Sequence, residues 1–145
     1  MSQTLHRKAP AQTMNVRYSG GERYDIAVRG HTLIVDQPTD NGGEDAAPTP
    51  TELFVASLAS CVAFYAGRYL TRHGIGREGL SVTATYQLAT DRPARVSSIR
   101  LTLSVPDTVP AHRWPALQAV AQHCTVHNSL TTPPDVHIEL ESLVT

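Results

Sequence analysis

The feature that most constrains the fold of this chain is a long apolar segment, Leu53–Leu70. Its length is borderline for a membrane-spanning helix, which needs about 20 apolar residues. It contains Arg68 and two serines, Ser57 and Ser60, and polar sequence follows it. A helix that is apolar on nearly every side is usually buried inside a protein. We therefore predict a buried core helix and not a membrane span.

The residues before this segment are a strong helix-start signal. Thr49 suits the N-cap, Pro50 the first helical position and Glu52 the third, which together make a capping box. Gly74 and Gly76 predict the end of the helix near residue 73. A single domain of 145 residues offers little to cover such a helix, so we expect a homodimer that buries it.

Short runs of alternating apolar and polar residues flank the helix on both sides. Before it, Gly20-Gly21 and Arg29-Gly30 predict hairpin turns in a three-stranded meander. The element order predicts an α+β fold with antiparallel sheets and two central helices. We expect a flexible tail over residues 1–12 and a single domain over 13–145. The predicted strands are 14–18, 23–28, 31–35, 80–89, 96–105 and 136–140, and the second helix is about 111–124, followed by a short turn over 125–130.

Composition and charge exclude several classes of function. The net charge is -1, no basic block exists and aromatic residues make up 6% of the chain. Nucleic acid and anionic membrane are therefore not expected as partners. The start of the sequence lacks the apolar core of a signal peptide, and two cysteines are fewer than a secreted disulfide scaffold carries. We expect a cytoplasmic protein.

The two cysteines, Cys61 and Cys124, are the candidate reactive groups. Cys61 lies about 16 Å along the predicted helix from Pro50, beyond the reach of the helix dipole, so a reactive thiolate there needs a nearby cation. Only the fold can bring Cys124 within the roughly 7 Å between Cα atoms that a disulfide requires. Free cysteines are also often buried as inert packing, which stays an alternative.

Helical geometry indicates which side chains share a face with Cys61. Ser57 and Tyr65 lie one turn before and after it, and Arg68 lies about 10 Å further along the axis. Glu52 falls on the opposite face and about 13 Å away. Glu52 can therefore reach a Cys61 thiol only from a second subunit.

Two stretches of the sequence resemble the signatures of the OsmC/Ohr family. Residues 48–61, PTPTELFVASLASC, have a proline-containing helix start, then Glu-Leu, a run of small residues and a cysteine. Residues 124–130, CTVHNSL, are similar to the family's second motif, Cys-Pro-Val-Ser-Asn-Thr-Leu. The order of the predicted elements also matches the family from about Met14 to Leu140.

The resemblance implies a fold and a reaction. Proteins of this family form an intertwined homodimer with two active sites at the subunit interface. They reduce organic hydroperoxides with two cysteines and no metal or flavin, and an external dithiol, often a lipoyl group, regenerates them. On this resemblance Cys61 is the peroxidatic thiolate, Cys124 is its resolving partner and Glu52 is the glutamate that helps to hold the thiolate. We expect no cofactor.

The chain departs from the family pattern at the arginine that holds the thiolate in the Ohr branch. The turn at residues 19–23 reads SGGER, so Arg23 is the nearest match, displaced by one position. Thr125 and His127 also replace the usual proline and serine, which suggests a side branch with its own substrate. The alternative arginines are Arg17, Arg29 and Arg68.

Two other interpretations remain. His123, Cys124 and His127 could form a metal site with Cys61, although His-Cys-x-x-His is not a standard zinc spacing. Alternatively, a non-catalytic dimer could hold a small apolar or thiol-reactive ligand in a pocket above Cys61. In the peroxidase interpretation the same pocket takes the substrate, and its predicted wall residues are Phe54, Ser57 and Tyr65.

Overall fold

A computed structural model describes residues 9–143 of the chain. The chain divides between Leu53 and Phe54 into two units, and each unit has its own antiparallel sheet. Residues 1–8 of the predicted tail lie outside the described residues, and residues 9–14 have no regular structure. The single domain over residues 13–145 stays a prediction.

The amino-terminal sheet is the predicted meander. Its strands are β1 (Asn15–Gly20), β2 (Arg23–Val28) and β3 (His31–Val35), antiparallel in the order β1-β2-β3. The turn residues have positive φ, 56° at Gly21 and 80° at Gly30. Glycine adopts this left-handed region without steric cost, which is why these positions close the two hairpins.

A loop that leads from β3 towards the first helix is held by a buried carboxylate. The side chain of Asp36 accepts backbone N–H groups of Gln37 at 2.7 Å, Glu44 at 3.3 Å and Ala46 at 3.0 Å. The pKa of Asp36 is lowered, chiefly by the Ala46 N–H and further by the other two N–H groups and the charge of Arg23, while burial opposes this. An ionised Asp36 thus fixes the loop.

The predicted helix start is confirmed. Helix α1 (Pro50–Arg72) begins with a reciprocal capping box. The N–H of Thr49 donates to Oε1 of Glu52 at 2.9 Å, and the N–H of Glu52 donates to Oγ1 of Thr49 at 3.0 Å. Gly74, with φ of 70°, lies just beyond the helix end, close to the predicted stop.

Helix α1 is buried along one stripe only. On its outer side Phe54 is 40% exposed and Phe64 is 51% exposed. The prediction of a helix buried all round therefore does not hold within this chain, and the homodimer that would cover the outer side stays a prediction. Among residues 9–143, α1 alone is long and apolar enough to cross a membrane, a test that core helices also pass. The buried residues are Val55, Leu58, Val62, Ala66, Gly67 and Leu70.

The buried stripe packs on the second sheet. Strands β4 (Ser81–Leu88) and β5 (Val96–Ser104) pair antiparallel along their whole length, as predicted. Val82 of β4 and three alternate residues of β5, Ile99, Leu101 and Leu103, pack against the buried residues of α1 in two adjoining core clusters. The first cluster is built around Leu58, Val62, Ala121 and Cys124, and the second around Ala66, Leu70, Val109 and Leu117.

The predicted second helix, about residues 111–124, is confirmed to within two residues at its carboxyl end. A short 3-10 turn at Ala111–Arg113 leads into α2 (Trp114–Gln122), and a separate helix α3 (Thr125–Thr131) follows. The break occurs because Cys124 has an extended backbone, with φ of -71° and ψ of 156°. Such a residue cannot continue α2, but it is the usual geometry for the N-cap of a new helix.

The predicted last strand, residues 136–140, is also not formed. Residues 133–143 contain no helix or strand, and Val136, Ile138 and Leu140 are 75%, 87% and 98% exposed. A strand needs a neighbour for its backbone N–H and C=O groups. No strand among the described residues pairs with this segment.

Candidate functional site

The two cysteines meet in the core of the carboxy-terminal unit. Cys124 is fully buried in the first core cluster, and Cys61, half-buried on α1, packs against that cluster. Both are free thiols. Burial raises the pKa of Cys124, and the neighbouring Cys61 thiol raises it further, while the N–H of His127 lowers it. The two cysteines therefore belong to one core cluster.

Cys124 is positioned by the start of α3. Its Sγ accepts the backbone N–H of His127 at 3.4 Å, and its carbonyl accepts the N–H of Asn128 at 2.9 Å. The thiol thus does the work of the serine or aspartate oxygen usual at an N-cap. The sequence pattern predicts Cys124 at the end of a helix and does not predict the cap, because cysteine is not one of the preferred capping residues.

Three predicted neighbours of Cys61 on α1 have different contacts. The hydroxyl of Tyr65 lies 2.8 Å from Oγ1 of Thr125. The hydroxyl of Ser57 donates to the carbonyl of Phe54 at 2.7 Å, and the guanidinium of Arg68 lies 5.5 Å from the centroid of the Phe64 ring. Only Tyr65 therefore links the helix to the segment that carries Cys124. The sequence places Thr125 at the start of a predicted short turn and in the position of the family's proline, and neither feature predicts a bond to Tyr65.

The predicted charged residues of the site have contacts within the amino-terminal unit. Arg23 lies in β2, and its charge helps to lower the pKa of Asp36. Glu52 accepts the N–H of Thr49 in the capping box. Arg17 stands opposite Asp25 in the register of β1 and β2, and Arg29 occupies a hairpin turn with φ of 47°. A cation or a carboxylate beside Cys61 stays a prediction.

The histidines near Cys124 are bonded to main-chain carbonyls. Nδ1 of His123 lies 2.6 Å from the carbonyl oxygen of Ala119, and Nδ1 of His127 lies 2.5 Å from that of Gln122. A carbonyl only accepts, so each Nδ1 carries the proton. Across residues 9–143 no group of three or more His, Cys, Asp and Glu side chains could hold a metal ion. The alternative of a metal site therefore has no ligand set in this part of the chain.

A cavity of about 560 Å³ lies among α1, β5 and α2. Its wall is mainly apolar, and the only ionisable side chain on it is His127. The residues predicted to wall the substrate pocket, Phe54, Ser57 and Tyr65, are not among those that line it. The apolar lining residues are Leu58, Val62, Ile99, Leu101, Leu103, Val105, Trp114, Leu117 and Ala121.

These features first define a class of protein: an α+β chain in which a long capped helix and a helix–helix junction each contribute one thiol to a shared core. The sequence profile described as OsmC-like protein matches residues 42–139, more than half of the chain. The protein belongs to this OsmC-like family, which confirms the resemblance seen in the two cysteine motifs.

Solved structures share the fold. A Psychrobacter arcticus protein, named for osmotic stress induction and detoxification response, is 27% identical, with a TM-score of 0.75 over 85% of this chain and 90% of that one. An organic hydroperoxide resistance protein OsmC from Legionella pneumophila is 21% identical, with a TM-score of 0.58 over 86% and 91%. No curated protein sequence matches the chain.

A third similar structure comes from Vibrio cholerae. Its name refers to organic hydroperoxide resistance, and it has captopril bound in one of its active sites. It is 18% identical, with a TM-score of 0.65 over 88% of this chain and 90% of that one. At this identity, as for the Legionella protein, the likeness establishes the α+β fold and no more.

Proposed function

We propose that this protein is a two-cysteine thiol peroxidase that reduces organic hydroperoxides, with Cys61 as the peroxidatic residue and Cys124 as the resolving one. The observation that carries the proposal is that Cys61 packs against the core cluster that contains Cys124. Family membership supports it, as do similar structures from Vibrio cholerae and Legionella pneumophila that are named for organic hydroperoxide resistance.

The different burial of the two thiols suits different roles. Cys61 is partly exposed and can meet a hydroperoxide, whereas Cys124 is buried and its raised pKa keeps it protonated. The Cys61 thiolate attacks the terminal peroxide oxygen, the O–O bond breaks, and the departing alkoxide takes a proton and leaves as an alcohol. Cys61 is then a sulfenic acid.

The second step joins the two sulfurs. The Cys124 sulfur attacks the Cys61 sulfur, the S–O bond breaks, and the hydroxide combines with the Cys124 thiol proton to leave as water. The raised pKa of Cys124 is compatible with this step, because the leaving hydroxide accepts the proton that the buried thiol must lose. An external dithiol, such as a lipoyl group, then reduces the disulfide by exchange.

Activation of Cys61 requires a cation, since the dipole of α1 is too far away. We propose that Arg23 supplies this cation to the Cys61 of a second copy in an intertwined homodimer, with Glu52 beside it. The exposed outer side of α1, with Phe54 and Phe64, offers apolar surface for such a dimer. A cytoplasmic location, with no membrane or nucleic-acid partner, completes the proposal.

The decisive experiment adds one equivalent of cumene hydroperoxide to the reduced protein. Free thiols are counted and the intact mass is read. The proposal expects both thiols to disappear with the loss of two hydrogen atoms, and expects this change to be absent in Cys61→Ser and Cys124→Ser. Survival of both wild-type thiols in excess hydroperoxide would refute it.

A second candidate is a non-catalytic dimer that binds a small apolar ligand. The cavity of about 560 Å³ favours it, because its size and apolar wall suit such a molecule. An apolar fluorescent probe that binds equally well after replacement of both cysteines, in a protein whose thiols resist hydroperoxide, would support this function over the peroxidase.

A further inference from the structure

A hydrogen bond joins the two segments that carry the cysteines. The hydroxyl of Tyr65 and Oγ1 of Thr125, 60 residues apart in sequence, are 2.8 Å apart in the structure. Tyr65 lies one helical turn after Cys61 on the same face of α1. Thr125 directly follows Cys124 and begins α3. Tyr65 is therefore a near neighbour of Cys61, and Thr125 is a near neighbour of Cys124.

We propose that this bond, called the Tyr65–Thr125 clamp, holds Cys124 against Cys61, so that both residues are positioning residues for disulfide formation. The inference rests on the proposed function where hydroperoxide is the oxidant. The hydrogen bonds of Cys124 itself, accepted from the N–H groups of His127 and Asn128, lie at the start of α3. Among the side-chain hydrogen bonds of residues 9–143, the clamp is the one that ties α3 to α1.

Apolar packing alone does not fix the distance between the thiols. Cys61, Tyr65 and Val126 pack against the cluster that contains Cys124, but hydrophobic contact is not directional. A hydrogen bond has a preferred length and angle. The clamp therefore restricts how far the start of α3 can move from the Cys61 face of α1.

The clamp is a property of this chain and not of the general motif. Thr125 stands where the resembling OsmC/Ohr signature has proline. Proline has no hydroxyl, so a chain with proline at this position cannot form the bond. The replacement of proline by Thr125 is therefore what makes the hydrogen bond possible.

The clamp matters because an oxidised Cys61 has two competing fates. When Cys124 reacts first, an S–S bond forms and the sulfenic oxygen leaves as water with the thiol proton. When a second hydroperoxide reacts first, its O–O bond breaks, Cys61 gains another oxygen as sulfinic acid, and an alcohol leaves. Disulfide formation depends on how often Cys124 is within reach, so a looser clamp shifts Cys61 towards sulfinic acid.

Deleting one hydroxyl at a time tests the clamp without assuming a peroxidase. Tyr65→Phe and Thr125→Val change shape little, and each variant is equilibrated with mixtures of reduced and oxidised glutathione. Loss of one hydrogen bond of ordinary strength predicts an effective concentration of one thiol at the other that is about threefold to tenfold lower. The double variant should be no worse than either single variant, because all three lack the same bond.

Two matched controls separate the clamp from general loosening. Thr125→Ser retains a hydroxyl and should restore most of the wild-type effective concentration. Tyr69→Phe removes a hydroxyl one turn further along α1, where its contact is with Arg113, and should behave as wild type. Thermal unfolding of every variant shows whether any change follows stability instead of the bond.

An experiment with hydroperoxide measures the same effect as a competition between disulfide formation and further oxidation of Cys61. The hydroperoxide concentration that converts half of Cys61 to sulfinic acid should fall in Tyr65→Phe by the factor found with glutathione. An effective concentration unchanged in both single variants, or no wild-type disulfide in oxidised glutathione, overturns the clamp. If wild-type thiols survive hydroperoxide but form a clamp-dependent disulfide in glutathione, the peroxidase fails and the clamp stands.

Discussion

Two helix starts in this protein are built from different atoms. At the start of α1, the side chains of Thr49 and Glu52 accept two backbone N–H groups at 2.9 Å and 3.0 Å, on an exposed surface. At the start of α3, the buried Sγ of Cys124 accepts one N–H at 3.4 Å. Sulfur is the weaker acceptor, so the second start contributes less to helix stability.

The two starts contribute in different ways: the first stabilises its helix, and the second positions a reactive sulfur. The capping box at α1 uses only residues within one turn, and its benefit is a more stable helix. A serine would cap α3 at least as well as Cys124 does, but it could not form a bond with the Cys61 sulfur. The start of α3 therefore has a weaker cap, but this cap carries a sulfur that Cys61 can reach.

The largest expected effect comes from replacing the sulfur cap with an oxygen cap. Cys124→Ser keeps a side chain that can accept the His127 N–H, so the protein should stay folded. No disulfide can form, and hydroperoxide should carry Cys61 on to sulfinic acid, seen by intact mass as a gain of two oxygen atoms. In Cys61→Ser the buried Cys124 should remain a thiol. Wild-type turnover by Cys124→Ser with a dithiol would rule out its resolving role.

Removing the oxygen cap at α1 should lower the stability of the protein and leave disulfide formation unchanged. Thr49→Ala loses the acceptor for the Glu52 N–H and should lower the free energy of unfolding by about 1 kcal/mol. The disulfide yield after hydroperoxide should not change. Urea unfolding gives the first quantity and intact mass the second, with Thr49→Ser as the matched control. A changed disulfide yield at equal stability would show that the two starts are not independent.

The sulfur cap is a thiol, which loses its proton at alkaline pH, and this distinguishes the two starts there. The pKa of Cys124 is raised in the folded state by burial and by Cys61. The folded protein therefore holds the proton more tightly than the unfolded chain, so this stability is full below the unfolded pKa of about 8.5 and is lost as pH rises through the folded pKa. The unfolding free energy of wild type should therefore fall relative to that of Cys124→Ser across that range. A difference that stays constant from pH 7 to about pH 10 contradicts this.

The smallest stability effect is expected at Glu52. Glu52→Gln keeps an oxygen for the Thr49 N–H but loses a negative charge near the positive end of α1, which costs about 0.3–1 kcal/mol. If Glu52 also acts on the Cys61 of a second copy, the rate constant for hydroperoxide should fall by much more than this loss of stability explains. Stopped-flow oxidation of Cys61 measures it, and an unchanged rate assigns Glu52 to capping alone.

Elements stabilised by near neighbours were predictable in detail. The start of α1 was placed at Pro50 because a capping box uses contacts across only three residues. The hairpins at Gly21 and Gly30 followed from glycine's access to positive φ. The bounds of β2 and β3 agree with the prediction, and β4 and β5 agree to within about one residue.

Elements that depend on distant partners were predicted less well. Apolar spacing through Trp114 and Leu117 continues towards residue 124, but the helix ends at Gln122 because Cys124 turns to cap α3. The alternation at residues 136–140 is typical of a strand. That segment is not one in the described residues, where no neighbouring strand pairs with it.

The sequence by itself determined the α+β class, the capped start of α1, the family and the two candidate thiols, because each depends on local propensity, periodicity or a short motif. Only the tertiary structure decided that Cys61 and Cys124 meet, that Cys124 caps α3 and that Tyr65 bonds Thr125. The Cys61–Cys124 and Tyr65–Thr125 contacts join residues about 60 positions apart. They form because α1 packs on β4 and β5, a long-range arrangement that no local pattern specifies.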